Sequence, residues 1–441
     1  MPALAFRSVL RHRASTLATG VIAVIGTAMV VAMAALLATG LTAGERSEFL
    51  TLFPMIVGGW IVVIVVFAMA STVGVTLEGR TDEFTGLRLI GAEPGQIRRL
   101  IVFETALVSI AAAVPGAALG VLLGGAAMAG IRAGGVVDPS TPYASGVLAP
   151  FVGAAVVISA SVVAGILAGR RPARGSVLGA PGEGREQARR GMRRVLAALV
   201  VFAGAGTAAA TLASGPADLL ATATTGPACI LLAVGACLFA PELILLAGMA
   251  TRGTAASAWL AARNLDAAPE RVRPLVTFLT LFVGVAAGTL GMQGIENAAG
   301  SAMPDADLIA TINYLVVGLL AGFMAVALVN NLVAAVLRRR AEFGMMRLIG
   351  STPKQTQRML LREVAAATVV SVLAGGAAAL VSTIPYSVVK TGAPWAALVP
   401  VPYLAAAAVG ALLALVVAAL AGRRAVPGAR GGRRRAVAAP A

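Results

Sequence analysis

Two stretches of the chain set charged and apolar residues in the same order. The first is Glu83-Phe84-Thr85-Gly86-Leu87-Arg88-Leu89-Ile90-Gly91, followed by Pro94, Gln96 and Arg99. The second is Glu342-Phe343-Gly344-Met345-Met346-Arg347-Leu348-Ile349-Gly350, followed by Pro353, Gln355 and Arg358. The offset of 259 residues continues to Glu104 and Glu363. One acid, one arginine and a row of apolar side chains suit recognition better than bond-making. Gly350-Ser351-Thr352-Pro353-Lys354 lacks the Gly-x-x-x-x-Gly-Lys-[Ser/Thr] spacing of a phosphate loop, so any ATP chemistry belongs to a separate chain. His12 is the only histidine and lies in a basic, headgroup-facing segment. No metal site, Ser/His/Asp set or paired-carboxylate site can be assembled around it, and no catalytic residue is assigned.

The spacing in each stretch predicts how it is presented. Phe84, Leu87 and Ile90 recur every three residues, as do Phe343, Met346 and Ile349, and Leu89 and Leu348 widen that apolar side. Glu83, Arg88, Glu342 and Arg347 can face other groups. Gly91 and Gly350 suit a helix stop in the left-handed region, and Pro94 and Pro353 suit the first turn of a new helix. The expectation is a short helix, a sharp turn and a second helix entering the membrane, forming a rigid, partly apolar knob that fits a groove on another protein. The rival is an amphipathic helix lying on lipid. Lipid needs only amphipathicity, whereas Arg-Leu-Ile-Gly is kept intact in both copies, which favours docking.

The rest of the chain must carry these knobs across a bilayer. It has 441 residues, 59% hydrophobic and only 12% charged, against about 25% charged in soluble domains. Apolar runs give ten spans, at about 15–39, 53–77, 101–130, 146–169, 195–213, 226–250, 275–293, 311–337, 364–389 and 398–421. Pro241 and Glu242 in the sixth predict a kink. The first run is long enough to remain a helix rather than a cleaved signal. With both termini cytoplasmic, 32 of the 35 Lys and Arg fall on inner segments, leaving Arg46, Arg132 and Lys390 outside. This satisfies the positive-inside rule and puts both repeated stretches in the cytoplasm. The net charge of +16 is thus a partner for anionic headgroups of the lipid bilayer, not for nucleic acid. Arginine-rich, lysine-poor composition with much Ala, Gly and Val points to a GC-rich bacterial source, and so to a bacterial plasma membrane.

The expected fold is all-α and polytopic, with two four-helix units at 1–169 and 258–421. A basic linker and two connecting spans occupy 170–257, and a basic cytoplasmic tail occupies 422–441. Six spans separate equivalent points, so the units are parallel repeats about an axis along the membrane normal. Leu4-Ala5-Phe6-Arg7 and Leu260-Ala261-Ala262-Arg263 precede the first span of each unit. The outer loops, about 40–52, 131–145, 214–225, 294–310 and 390–397, are too short to fold into domains.

Glu-Phe-x-x-x-Arg-Leu-Ile-Gly-x-x-Pro-x-Gln resembles the inner loop of FtsX-like permeases, the membrane subunits of the ABC transporters of the MacB and lipoprotein-release class. Two such units among ten spans are similar to the bacitracin-exporter-type permeases, here without a large extracellular domain. The resemblance implies that Glu83, Phe84, Leu87, Arg88, Ile90 and Gly91, with Glu342, Phe343, Met346, Arg347, Ile349 and Gly350, form coupling helices that fit a cleft in a cytoplasmic ABC ATPase. Two ATPase copies are expected per permease chain. ATP and Mg would bind on those subunits, with no cofactor on this chain. The function implied is export or extrusion of a hydrophobic or amphipathic substrate. The alternatives are a non-transporting complex that signals to a cell-envelope partner, and an ion-driven secondary transporter.

Other residues carry narrower expectations. Glu104 and Glu363 can pair with Arg99 or Arg362, either as an interfacial ion pair or as part of a transmission path. Glu242 could bind a cationic substrate group or a proton, or pair with an arginine near the inner surface such as Arg252. Gly116, Gly120 and Gly124 form a small-residue stripe for close helix packing. Asn330 and Asn331 suit interhelical hydrogen bonds. Cys229 and Cys237, eight residues apart on one helix, cannot join and read as small membrane-buried side chains.

Overall fold

The structure is a computed structural model that describes residues 13–43, 48–78, 80–133, 135, 137–174, 183–216, 219–251, 255–300 and 306–426. Leu4–Arg7, His12, Arg252, the middle of the 170–194 linker and the tail beyond 426 lie outside the described residues. The described chain is helical: α1 Arg13–Ala43, α2 Glu48–Glu78, α3 Thr81–Leu89, α4 Pro94–Ala133, α5 Leu148–Arg174, α6 Glu183–Ala210, α7 Leu219–Leu238, α8 Ala240–Ala250, α9 Ala256–Ala267, α10 Arg273–Ala299, α11 Ala306–Arg338, α12 Arg340–Leu348, α13 Pro353–Thr391 and α14 Pro400–Ala425. Ten are long and apolar enough to cross a membrane, as the apolar runs predict. Without water in the hydrocarbon core, a helix is the one open-chain form that satisfies its own backbone groups.

The sixth span breaks where its proline predicts. Helix α7 ends at Leu238, and α8 resumes at Ala240 with Pro241 in its first turn. Proline removes a backbone donor and clashes with the preceding turn, so the ladder restarts through Leu243 N donating to Phe239 O.

Two compact units divide the chain. One contains Met1–Gly191, Pro216–Pro227 and Gln293–Phe323. In it α1 packs along α2, α4 and α5, and α5 packs along α2 and α4. The α1–α4 contact runs over the predicted glycine stripe. A Cβ at Gly120 would meet Ala28 O and Val31 Cβ at 2.6 Å, and one at Gly116 would meet Thr27 Cβ at 2.7 Å. Ser109 and Ser161 join α4 to α5, Oγ to Oγ at 2.5 Å. Tyr143 in the loop after α4 donates to Val121 O at 3.0 Å.

The stripe makes a prediction within one helix. Gly120→Ala forces backbone apart and costs about 1–3 kcal/mol. Gly130→Ala, where an added Cβ meets nothing within 4 Å, is neutral or gains up to about 1 kcal/mol from helix propensity. Thermal unfolding of the two purified variants reads the contrast.

The second unit contains Met192–Gly215, Ala228–Met292 and Met324–Ala441. Its centre is α10, buried along nearly its whole length. Gly284 meets Gly375 of α13, and Gly410 of α14 lies against Leu279 and Phe282. From α7, the free thiols of Cys229 and Cys237 donate to Gly284 O and Thr277 O. Gly375 lies 259 residues after Gly116, so the same small residue opens the same kind of contact in each half. Asn331 donates to Ala327 O of its own helix at 2.8 Å.

Helices α4 and α13 have 40 and 39 residues. At about 1.5 Å per residue each is about 60 Å long, twice a hydrocarbon core of about 30 Å. Each is therefore long enough to extend past the hydrocarbon core, and each starts just after one of the repeated stretches.

Candidate functional site

Both repeated stretches fold into the same elbow. Helix α3 closes with Gly91 N donating to Arg88 O and Ala92 N donating to Leu87 O. In the second copy Gly350 N donates to Arg347 O and Ser351 N to Met346 O. These crossed bonds form a Schellman turn, which needs a left-handed residue after the helix. Gly91 has φ 97° and Gly350 φ 95°. Pro94 and Pro353 then begin α4 and α13. The motif glutamine has a local role: Gln96 Oε1 accepts from Glu93 N, and Gln355 Oε1 accepts from Thr352 N. At the second elbow Thr352 Oγ1 also accepts from Gln355 N, completing a capping box. An added Cβ at either glycine would meet nothing within 4 Å, so Gly350→Ala suffers only backbone strain, about 1–2 kcal/mol. A lower melting midpoint with unchanged helicity by circular dichroism is the expected reading.

The apolar side of each knob splits in two. Phe84 and Phe343 are fully buried. Phe84 joins Val73, Leu77, Ile97, Ile101 and Ala164 in one core, with Leu87 packed against it. Met346 is half-buried, as are Arg88 and Arg347. Leu89, Ile90, Met345, Leu348 and Ile349 face outward, with Ile90 82% and Leu348 87% exposed. Three-residue spacing puts Ile90 beside Phe84 and Leu87, but the helix ends at Leu89. Ile90 is the cap, and the turn carries it off the face that the spacing defines.

An arginine that spacing did not single out organises the base of each elbow. Arg80 Nη1 and Nη2 donate to Glu104 Oε2 and Oε1 at 2.6 and 3.3 Å, and its Nε donates to Glu83 Oε2 at 2.9 Å. Arg339 lies 259 residues later. It forks onto Glu363 through Nη1 and Nη2 and reaches Glu342 Oε2 through Nε at 3.3 Å. Both guanidinium groups also lie over the motif phenylalanine, 5.2 Å from the Phe84 centroid and 5.1 Å from that of Phe343. Burial alone would lower the Arg80 pKa, but the hydrogen bonds it donates to Glu104 and Glu83, with the charge of those carboxylates, outweigh it and raise it, so the fork stays charged.

This corrects the pairing expected for the acids. Arg99 and Arg362 are exposed. Arg362 adjoins Glu363 and Arg99 is five residues before Glu104, and neither separation places two side chains on one helix face. Extending the 259-residue comparison three residues upstream of Glu83 would have found the true partners. The second fork has two further arms: Arg271 Nη1 donates to Glu342 Oε1 at 2.7 Å and Asn264 Nδ2 to Glu363 Oε1 at 2.5 Å.

Glu242 is not a solitary intramembrane acid. It lies in the first turn of α8, where a carboxylate complements the helix dipole. Its Oε1 accepts from Arg193 Nη2 at 2.6 Å and Arg194 Nε at 2.8 Å. The expected pairing with an arginine is thus formed, by two residues of α6; Arg252 lies outside the described residues.

No curated protein matches the chain. Among protein families, residues 55–173 and 314–426 match the FtsX-like permease C-terminal family. The two segments start 259 residues apart, the offset of the repeat, and together cover more than half of the chain. Each contains one elbow with its fork and the long helix that follows it. With ten apolar helices able to span a bilayer among the described residues, the chain belongs to the FtsX-like permease family and is a multi-pass membrane permease of the ABC-transporter type.

Proposed function

We infer that this chain couples ATP hydrolysis by a separate cytoplasmic ATPase to extrusion of a hydrophobic or amphipathic substrate. The observation that carries this reading is the outward apolar tip of each elbow, Leu89 with Ile90 and Leu348 with Ile349, set on a long helix that continues through the membrane. An apolar tip on a rigid stem suits a cleft, and its repetition in both halves suits two ATPase subunits, which would hold the ATP and Mg. The 32-to-3 partition of Lys and Arg supports a cytoplasmic position for both tips and both termini in a bacterial plasma membrane. Short outer loops give a soluble binding protein little to dock on, which favours export over import. They give a bacitracin-exporter-like architecture without its outer domain.

The test is co-purification of the chain with ABC ATPase subunits from its source, with stoichiometry and ATP turnover measured. Two ATPase subunits per permease, with turnover dependent on the permease, is the expected result. A chain that binds no such subunit overturns the reading.

A further inference from the structure

Each elbow has two joints. One is the glycine–proline corner, and the other is the fork below it. Arg80 is the cap residue of α3 and spans Glu83 on α3 and Glu104 on α4. Arg339 caps α12 and spans Glu342 and Glu363 in the same way. At the corner itself the crossed backbone bonds hold the turn, with Ala92 packed against the core at the first elbow, but no side chain backs either glycine where a Cβ would point, since one added at Gly91 or Gly350 would meet nothing within 4 Å.

The chemistry of the fork is informative because ion pairs are inefficient fasteners. Replacing a buried pair by well-packed apolar residues is often neutral or stabilising. What a forked guanidinium adds is direction: two parallel bonds to one carboxylate fix distance and orientation together, which an apolar contact or a lysine does not. The same arginine, the same two acids and the same phenylalanine recur in both halves. In the second half the brace extends through Asn264 and Arg271 to the segment before α10.

We propose that Arg80 and Arg339 are positioning residues that brace each elbow, so that displacement of its tip is delivered to α4 or α13 rather than absorbed at the glycine corner. Their role in turnover rests on the ATPase-docking reading, whereas the brace itself is a property of the permease alone. The variant that separates bracing from stability replaces both partners: Arg80→Met with Glu104→Leu, and Arg339→Met with Glu363→Leu. Arg339→Lys keeps the charge and serves if the apolar variants fold poorly.

The experiment uses the full chain in phosphatidylethanolamine–phosphatidylglycerol nanodiscs, with hydrogen exchange followed over 81–92 and 340–351. Removing the brace should speed exchange there at least about tenfold while the spans exchange as in the parent. Arg339→Lys should give at least about threefold in 340–351. With the ATPase that co-purifies with the parent chain, affinity should stay within about threefold while permease-stimulated ATP turnover falls about tenfold. Unchanged exchange in these variants overturns the brace. Faster exchange with parental turnover overturns the positioning role, leaving a structural contact. If the parent chain binds no ATPase, the docking reading falls, and the exchange measurement still decides whether the brace exists.

Discussion

On the proposed docking, a chain carrying Leu348→Asp and Ile349→Asp should lose about a thousandfold in affinity for a partner ATPase at the second elbow. Both side chains are more than four-fifths exposed, so the substitutions change fold stability by no more than about 0.5 kcal/mol. In the docked state each apolar side chain contributes about 1.5–3 kcal/mol of burial, and a carboxylate in the same cleft must shed its water without a partner. A combined loss of about 4 kcal/mol corresponds to that thousandfold. Leu89→Asp with Ile90→Asp should act alike at the first elbow. Binding of the ATPase to nanodisc-held permease measures it, with circular dichroism and melting as controls. Affinity within threefold of the parent would remove these tips from the docking surface. Phe343→Ala is the informative contrast. Phe343 is buried under the knob, so its loss costs about 3–5 kcal/mol of stability and reaches docking only through the fold.

That contrast marks how far the sequence could be read. Composition and apolar run length decide whether a segment spans a bilayer, because membrane thickness is fixed and the helix is the required form. All ten spans were legible for that reason, and so was the break at Pro241. The Gly-then-Pro punctuation was legible because backbone conformation is chosen locally: Gly91 and Gly350 adopt the left-handed turn that their position implies. The two outcomes of the motif's apolar row were not. Whether Phe84 or Ile90 faces the bundle depends on where the helix stops and what α2, α4 and α5 present to it. Glu104 and Glu363 were visible as a repeated pair of acids, but their partners lie 24 residues upstream. Those of Glu242 lie 48 and 49 residues upstream. Such contacts are set by packing between elements, and spacing along one helix cannot report them. The repeat offset could have reported the arginines, since Arg80 and Arg339 obey it.

Among the acids around the two forks, burial should rank the cost of removal. Glu363→Ala is the most damaging, at about 3–5 kcal/mol, because it strands a buried guanidinium. Glu363 is 1% exposed, and Asn264 loses an acceptor with it. Arg339 would keep Glu342, but Arg271 already shares that carboxylate. Glu104→Ala should cost less, about 2–3 kcal/mol, since Glu104 is 7% exposed and Arg80 retains the solvent-facing Glu83. Glu83→Ala should cost at most about 1 kcal/mol, the usual range for an ion pair open to water. The protein carries its own reporter for the second unit. Cys229 and Cys237 are buried free thiols, so a thiol-reactive dye follows their exposure on heating in detergent. The midpoint should fall for Glu363→Ala, and Glu363→Gln, which can still accept from Arg339 and Asn264, should recover part of the loss. Equal midpoints for Glu363→Ala and the parent would mean that the fork carries no stability. Its retention in both halves would then have to rest on geometry alone, which the paired Met and Leu replacements test directly.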